Sequence, residues 1–166
     1  VEDPDPVLFL EPKKLYRLAK GPFPTGDHRV PLGKAAIRRN GTEVTIVAYG
    51  TMSHYSVAAA ELLAEEGISA EVIDLRSIKP LDWPTVAASL AKTGRLLIVH
   101  EDNEFVGFGA EIAAQAADQA FELLDAPVRR YATPDVPTFP FASELEAMVM
   151  PNTEGIVRHA RELAGY

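Results

Sequence analysis

The sequence predicts an α/β domain in which helices cover both faces of a mostly parallel sheet. Strand-like and helix-like runs alternate along the chain. The run Glu43–Tyr49 is apolar and rich in β-branched residues, which is typical of a parallel strand buried on both faces. A helix separates it from the next strand, and a right-handed crossover makes two such strands parallel.

Residues 43–80 form the central βαβ unit of this prediction. Thr51 or Ser53 can cap the helix that follows the first strand by accepting a backbone hydrogen bond. Gly67 suits the end of that helix, and the second strand follows directly. The helix has apolar residues at helical spacing: Val57, Ala60, Leu63 and Ala64.

Two short strands are predicted before this unit. They are Val7–Leu10 and Lys34–Arg39. Between them, residues 12–31 are rich in proline and glycine and indicate a linker over a surface, with a possible helical turn at Lys13–Ala19. The dipeptide Asn40-Gly41 is a hairpin signal that would pair the second strand with the central strand.

The remaining helices have recognisable start signals. Asp82 can cap one helix, with Pro84 in its first turn. Ser143 can cap a short helix, and Asn152 or Thr153 the final one. The apolar face of the first of these helices is Trp83, Val86, Ala87 and Leu90.

Two further strands complete the pattern. Arg95–His100 is the third parallel strand and Val128–Tyr131 the last. Between them lie a loop over residues 101–109 and the longest helix, Ala110–Leu124. Residues 132–142 contain three prolines and two phenylalanines and are expected to cross the surface.

Composition excludes several functions. The net charge of −8 disfavours nucleic-acid binding and suits a partner that presents Lys or Arg. The chain has no cysteine, which excludes disulfides and thiolate metal sites and is compatible with a reducing cytoplasm. No apolar run approaches the ~20 residues of a membrane span. Because the first residue is Val1, we expect a fragment or a processed product.

Polar residues that follow the strands are candidates for chemistry, since open parallel sheets bind ligands there. The helix start at Thr51 suits an anion, or is an ordinary helix cap. Arg76 follows a strand and can bind a carboxylate or phosphate with two hydrogen bonds. The alternative is a structural ion pair with Asp74, Asp82 or Glu101.

The four histidines show no metal-ligand spacing. His100 and Glu101 are neighbours on a strand and point to opposite faces, so a direct acid–base pair is not expected. We expect one of them to be buried and the other to be a loop carboxylate. His54 and His159 lie on predicted helices and are expected to be solvated.

Several ordered motifs carry a family resemblance. They are residues 47–52, 71–82, 92–101, 107–112 and 125–130. Over nearly the whole chain they resemble the C-terminal domain of the transketolase family, most of all the β subunits of thiamine-dependent 2-oxoacid dehydrogenases. The segment Glu11–Arg17 is more similar to the branched-chain enzymes than to the pyruvate enzymes.

The resemblance implies a three-layer α/β/α fold with a mostly parallel five-stranded sheet and one antiparallel edge strand. It places that edge strand away from the central strand, in conflict with the hairpin signal; we follow the resemblance for strand order and take Asn40-Gly41 only as a tight reversal of the chain. Residues 1–33 would be the end of a missing pyrimidine-binding domain plus a linker, and residues 34–166 the transketolase C-terminal-like domain. Val7–Leu10 would lose its sheet, so we expect it to pair with another chain or to be disordered.

The resemblance also implies a function for the intact enzyme. It would decarboxylate a 2-oxo acid with thiamine diphosphate and magnesium and pass the acyl group to a lipoyl arm, in a bacterial cytoplasm or an organellar matrix. The family's Gly-Asp-Gly signature is absent from this chain, and its activating glutamate lies in the missing domain. We therefore expect the fragment to bind no thiamine. The alternative function is a freestanding α/β module that binds a phosphorylated ligand.

Five site residues follow from the resemblance. Asp3 and Asp5 match a monovalent-cation loop that would take potassium, although Pro4 departs from the pattern and a solvated acidic terminus is the alternative. The residue that matches Arg76 lies near the substrate channel in related enzymes. Asp125 and the carboxylate of Tyr166 would receive basic residues of the acyltransferase's peripheral-subunit-binding domain, or form a solvated acidic patch.

The partners implied are an α subunit, a second β subunit and the acyltransferase. Without them, apolar surface would be exposed, so we expect the isolated chain to self-associate. The groups expected to be exposed are Val7–Leu10, Phe139 and Phe141.

Overall fold

The computed structural model describes residues 3–22 and 24–166 and contains a five-stranded sheet. The strands are β1 Ala36–Arg39, β2 Val44–Ala48, β3 Ala70–Asp74, β4 Leu96–Asn103 and β5 Arg129–Thr133. Their order is β1-β3-β2-β4-β5. Only β1 runs antiparallel to its neighbour, β3, and the other pairs are parallel. The predicted fold class is confirmed.

Helices form a layer on each face of this sheet. The layers contain α2 Thr51–Glu65, α3 Trp83–Thr93, α4 Phe108–Gln119 and α6 Thr153–Ala164, whereas the short helices α1 Leu15–Leu18 and α5 Ser143–Val149 bury no residue. The buried residues of α2 and α6 share one hydrophobic cluster, and those of α3 and α4 share the other. Among the described residues, no helix is both long and apolar enough to cross a membrane.

The central strand β2 is buried along its whole length. Ile46 belongs to the cluster under α2 and α6, and Val47 to the cluster under α3 and α4. Alternate side chains of one strand therefore fill both cores. This explains why the strand has a continuous apolar run rather than an alternating pattern.

Thr45 is the polar exception in β2, and it joins a buried network. Its Oγ1 lies 2.6 Å from Ser89 Oγ and 2.7 Å from Thr93 Oγ1, both on α3. Ser89 donates to the buried carboxylate of Glu71 on β3, which also pairs with Lys92. Because an unpaired charge at this depth is costly, these contacts fix how α3 lies on β2 and β3.

The hairpin suggested by Asn40-Gly41 is wrong, because β1 pairs with β3 rather than with β2. The resemblance placed this strand correctly. Gly41 instead brings the chain directly against the backbone of β3: a Cβ at this position would lie 2.2 Å from the carbonyl carbon of Ala70. Its N–H donates to Glu71 Oε2 at 3.3 Å.

Helix starts were predicted only in part. Asn152 caps α6, since its Oδ1 accepts from Gly155 N at 2.8 Å. The cap position of α2 is Gly50, with φ of 57°, and no side chain caps it. The left-handed conformation of Gly50 turns the chain straight from β2 into α2. Thr51 and Ser53 therefore lie inside the first turn and do not cap the helix.

Two element boundaries also differ from the prediction. Strand β4 continues to Asn103, which pairs with Thr133 of β5. The backbone N–H of Glu104 then donates to the carbonyl of Thr133 at 2.8 Å. Helix α4 ends at Gln119, because Ala120 leaves the helical region with φ of −145°, and a short 3-10 turn follows.

The predicted strand Val7–Leu10 is not formed. Leu8, Phe9 and Leu10 are 92%, 75% and 80% exposed. An apolar β-prone segment needs neighbouring strands to bury its side chains, and the described residues of this chain supply none.

We predict that Gly41→Ala lowers the free energy of unfolding by about 1–3 kcal/mol, the usual cost of forcing atoms into a packed site. The added methyl group would meet backbone atoms of Ala70 and Glu71 that cannot rotate away. Urea denaturation measures the change. Gly21→Ala is the matched control, because nothing lies within 4 Å of its Cβ position. Equal stability of the two variants would contradict this packing.

Candidate functional site

The predicted site residues fall at opposite ends of the sheet. Arg76 lies beyond the carboxyl end of β3, and His100 lies in β4 just past Val99, where the pairing of β4 with β2 ends. Asp125 lies beside Gly94 at the amino end of β4, because its backbone N–H donates to the Gly94 carbonyl at 2.7 Å. Tyr166 ends the chain after α6.

His100 is the buried centre of the carboxyl end. Its ring stacks on Tyr49 with centroids 6.1 Å apart, and Tyr49 meets Phe108 edge-on at 5.9 Å. Gly109 allows this packing, since a Cβ there would lie 2.2 Å from His100 Nε2. Glu101 is partly exposed while His100 is fully buried, so the expectation that the two are not paired is confirmed.

Burial keeps this aromatic cluster uncharged. Burial lowers the pKa of His100, and the nearby Asp102 carboxylate opposes that shift only in part. Burial also raises the pKa of Tyr49 to about 12, with Asp102 and Glu101 adding to the shift. Near pH 7 both rings are therefore neutral.

The start of α2 is covered rather than open to an anion. Thr51 is buried, and Pro12 of the linker lies 3.4 Å from the Cβ position of Gly50. The carboxylates of Glu101 and Asp102 lie among the last residues of the neighbouring strand β4, near its carboxyl end, and would repel an anion. This arrangement disfavours the phosphate interpretation of the Thr51 helix start.

Arg76 forms none of the three ion pairs weighed for it. No salt bridge among the described residues includes Arg76, and its side chain is exposed. Asp74 pairs instead with Arg38 at 3.5 Å, and Asp82 with Lys34 at 3.9 Å. The backbone of Arg76 has φ of 57°, an uncommon conformation for a residue with a side chain. Its guanidinium is therefore available to a group from outside this part of the chain.

Asp3 and Asp5 lie together in an exposed turn. The N–H of Asp5 donates to Asp3 Oδ1 at 3.0 Å. Within residues 3–22 and 24–166, no group of three or more His, Cys, Asp or Glu side chains could hold a metal ion. A cation at this turn would need further oxygen ligands besides the carboxylates of Asp3 and Asp5.

Asp125 and Tyr166 come to the same end of the domain. Arg161, near the end of α6, forms two hydrogen bonds of 2.7 and 2.6 Å with Glu66, just after α2. This pair places the end of α6 at the amino end of β3. Ala126 packs in the same cluster as Leu163. Asp125 and Tyr166 are both exposed, with Tyr166 61% accessible.

The carboxyl end exposes apolar groups that the sequence did not single out. Phe105 and Val106 form the tip of the loop after β4 and are 72% and 80% exposed. Val106 has φ of 62°, which is strained for a β-branched residue. Phe141 was expected to be exposed and is fully exposed.

The linker is anchored to this same end. Lys14 Nζ lies 5.3 Å from the centre of the Tyr55 ring on α2. The contact with Tyr55 raises the pKa of Lys14. Lys14, Tyr55 and Glu146 of α5 line one groove. The segment before the sheet is therefore held over the carboxyl end.

His159 differs from the prediction that it is solvated. Its ring lies 4.8 Å from that of Tyr131, and its Nδ1 is buried without a hydrogen-bond partner among the described residues. Burial lowers the pKa of His159, as it does for His100. A helix position alone did not show that α6 turns this side chain toward β5.

We predict that stability falls in mild acid because of His100. Its folded-state pKa lies below the ordinary value of about 6.5. Protons therefore favour the unfolded state: stability is full above about pH 6.5 and declines as pH falls toward the folded-state pKa. Urea denaturation at pH 5 and pH 7.5 measures how much the free energy of unfolding falls between the two pH values, and this fall should be smaller for His100→Leu than for the wild type.

His28→Gln, which removes an exposed histidine of the linker, is the control and should show the same fall as the wild type. An equally large fall in His100→Leu would show that His100 does not cause the loss of stability in acid.

Known proteins resemble the chain along its entire length. It is 42% identical over 166 residues to the 2-oxoisovalerate dehydrogenase subunit beta of Bacillus subtilis, covering 100% of this chain and 51% of that protein. It is 47% identical over 167 residues to the mitochondrial pyruvate dehydrogenase E1 component subunit beta-2 of Oryza sativa, covering 97% and 43%. The chain thus spans about half the length of the curated relatives it matches.

A solved structure agrees with the fold. A split gene transketolase, described as an inactive beta4 tetramer, superposes with a TM-score of 0.72 at 27% identity, over 84% of this chain and 44% of that one. Residues 33–156 match the family described as "Transketolase, C-terminal domain". The chain therefore belongs to the transketolase C-terminal domain family.

Proposed function

We propose that the chain is the C-terminal half of the β subunit of a 2-oxoacid dehydrogenase decarboxylating component. The observation that carries this is the full-length similarity, at 42% and 47% identity, to two such β subunits that are about twice as long. Residues 1–33 would be the end of the preceding pyrimidine-binding domain and a linker, and residues 34–166 the C-terminal domain.

The intact enzyme would use thiamine diphosphate and magnesium to decarboxylate the 2-oxo acid. The described residues of this chain fit neither thiamine diphosphate nor magnesium. Glu101 and Asp102 would repel a diphosphate at the carboxyl end of the sheet, and the described residues offer no cluster of metal ligands. We therefore assign cofactor binding to the preceding domain and the α subunit. The cytoplasm of a bacterium or the matrix of an organelle would suit this enzyme.

We assign a branched-chain 2-oxo acid as the preferred substrate, on the segment Glu11–Arg17. Relatives at similar identity are named for 2-oxoisovalerate, pyruvate and acetoin, at 42%, 44% and 44%. The reaction class therefore rests on all of them, and the branched-chain preference on one segment. Arg76, which is exposed and forms no salt bridge with any described residue, would face the substrate channel.

The two ends of the sheet would serve different partners. The exposed apolar groups of the carboxyl end would pack against the preceding domain, the α subunit and the second β subunit, and would make the isolated chain self-associate. Asp3 and Asp5 would contribute to a potassium site only in that assembly. At the amino end, Asp125 and Tyr166 would dock the acyltransferase's peripheral-subunit-binding domain.

The first prediction concerns activity. The full-length β subunit, co-expressed with its α subunit and supplied with thiamine diphosphate and magnesium, should reduce an artificial electron acceptor with a 2-oxo acid. The isolated chain should give no turnover above background under the same conditions. Turnover by the chain alone would refute the assignment of cofactor binding to the preceding domain and the α subunit. An assembled component that is inactive with every 2-oxo acid would refute the proposed function.

The second prediction concerns docking. In the intact component, Asp125→Ala should weaken binding of the acyltransferase's binding domain by about 1–3 kcal/mol if the contact is desolvated, and by less than about 1 kcal/mol if it stays at the rim. A residue added after Tyr166 should also weaken binding, because the carboxylate moves. Calorimetry measures both effects, which should shrink at high salt if the contacts are exposed.

Glu144→Ala is the matched control for docking, because Glu144 is exposed on α5, beyond the carboxyl end of β5. It should leave the affinity unchanged. If Asp125→Ala and the chain extended after Tyr166 both bind as tightly as the wild type, the docking surface lies elsewhere.

A further inference from the structure

The linker lies against the carboxyl end of the sheet although apolar packing does not hold it there. Its one helix, α1, buries no residue, and Tyr16 and Leu18 on it are 68% and 56% exposed. The backbone hydrogen bonds of this turn join residues 12–19 to one another and not to the domain. Because a helix of four residues is unstable by itself in water, specific contacts with the domain must keep it in place.

Lys14 provides such a contact. Its Nζ lies 5.3 Å from the centre of the Tyr55 ring on α2. Tyr55 is partly buried and packs against the hydrophobic cluster under α2 and α6, so the position of its ring is fixed by the core. Pro12, two residues earlier, lies beside Gly50 at the start of α2. The linker therefore meets α2 at its first two turns.

Lys14 also lies among acidic groups. Tyr55 raises the pKa of Lys14 most, and the carboxylates of Glu101 on β4 and Glu146 on α5 add to the rise. Lys14, Tyr55 and Glu146 line one groove of about 270 Å³. One cation of the linker thus interacts with groups from three elements of the domain, which α1 does not do through its apolar residues.

Three neighbouring cations of the linker differ from Lys14. Lys13, Arg17 and Lys20 are exposed, and within residues 3–22 and 24–166 they form no salt bridge and no cation–π contact. The attachment of the linker therefore depends on the position of Lys14 and not on a general attraction between a basic segment and an acidic domain.

We propose that Lys14 is a positioning residue that holds the linker against α2 and α5 and so fixes the direction in which the chain enters this domain. The linker is then attached at two points, at Lys14 and at Gly33, whose N–H donates to Ser77 Oγ at 3.0 Å. In the part of this inference that rests on the proposed function, the same contact holds the preceding domain over the carboxyl end of the sheet.

The size of the effect follows from the kind of contact. A cation over a partly exposed aromatic ring changes the ratio of held to released linker by about two- to fivefold. No residue of the linker belongs to either hydrophobic cluster. Loss of Lys14 should therefore release the linker while leaving the melting temperature of the domain unchanged.

Distances between two spin labels test this release, because the chain has no cysteine and labels attach only where cysteines are introduced. Arg17→Cys labels α1, and Glu65→Cys labels the exposed far end of α2, about 15 Å along the helix from Tyr55. Double electron–electron resonance on this labelled chain should show one dominant narrow distance. Adding Lys14→Met should lower the ratio of the narrow to the broad component about two- to fivefold.

Three further variants separate a specific contact from a loss of charge. Lys13→Met removes the neighbouring exposed lysine and is the matched control, so it should leave the distances unchanged. Lys14→Arg keeps a cation over the ring and should retain the narrow distance. Tyr55→Leu should broaden the distances, and combining it with Lys14→Met should release the linker no further than Lys14→Met alone, because both changes remove one contact.

The effect on the preceding domain is measured in the full-length β subunit. Small-angle X-ray scattering should give a larger radius of gyration for Lys14→Met than for Lys13→Met, because the two domains separate more freely. Equal radii would overturn the role of Lys14 in placing the preceding domain.

The contact itself would be overturned by equal distance distributions in Lys14→Met and Lys13→Met, by a broad distribution without either substitution, or by failure of Lys14→Arg to retain the narrow distance. The spin-label experiment uses this chain alone and involves no turnover, so its failure is distinguishable from a failure of the proposed decarboxylase function.

Discussion

Burial of β2 on both faces is the constraint on which the rest of the domain depends. A strand with no polar face needs a helical layer on each side, so α2 and α6 lie on one face and α3 and α4 on the other. The one polar side chain in the strand, Thr45, is satisfied by α3. Through Ser89 the same network reaches the buried Glu71 of the next strand, so the position of α3 is fixed by hydrogen bonds as well as by apolar packing.

Parallel strands also give the domain two chemically different ends. The carboxyl end has a neutral aromatic cluster around His100, exposed apolar groups such as Phe105 and Val106, and the anchored linker. The amino end has the exposed Asp125 and Tyr166 beside well-packed helix ends. Apolar surface suits permanent association, whereas exposed charge suits a partner that docks with electrostatic selectivity. The proposed functions of the two ends follow from this difference.

Much of the fold could be predicted because its signals are local. Continuous apolar runs marked β2 and the first part of β4, the βαβ pattern marked β3, and Asn152 marked the start of α6. Errors arose where tertiary contacts override a local signal. Asn40-Gly41 has the sequence of a hairpin turn, yet Gly41 is placed by its contact with the backbone of β3. Gly50, which has no side chain, occupies the cap position of α2, so Thr51 and Ser53 lie inside the helix.

The candidate site was less predictable, since exposure depends on the whole fold. The sequence and the resemblance named Arg76, Asp125 and Tyr166, and the structure leaves all three exposed. Nothing in the sequence showed that Val106 holds a strained loop tip or that Lys34 and Arg38 pair with Asp82 and Asp74. These features arise from residues far apart in the chain that the sheet brings together.

Hydrogen-exchange mass spectrometry tests most directly the claim that the two ends of the sheet serve different partners. It would compare the isolated chain, the component assembled with its α subunit, and that component with the acyltransferase's binding domain. Assembly should slow exchange in residues 104–107 and 141–149 at the carboxyl end and leave the segments around Asp125 and Tyr166 unchanged. Those two segments should slow only when the binding domain is added. Protection of the amino end on assembly with the α subunit, with the carboxyl end still exposed, would contradict the claim.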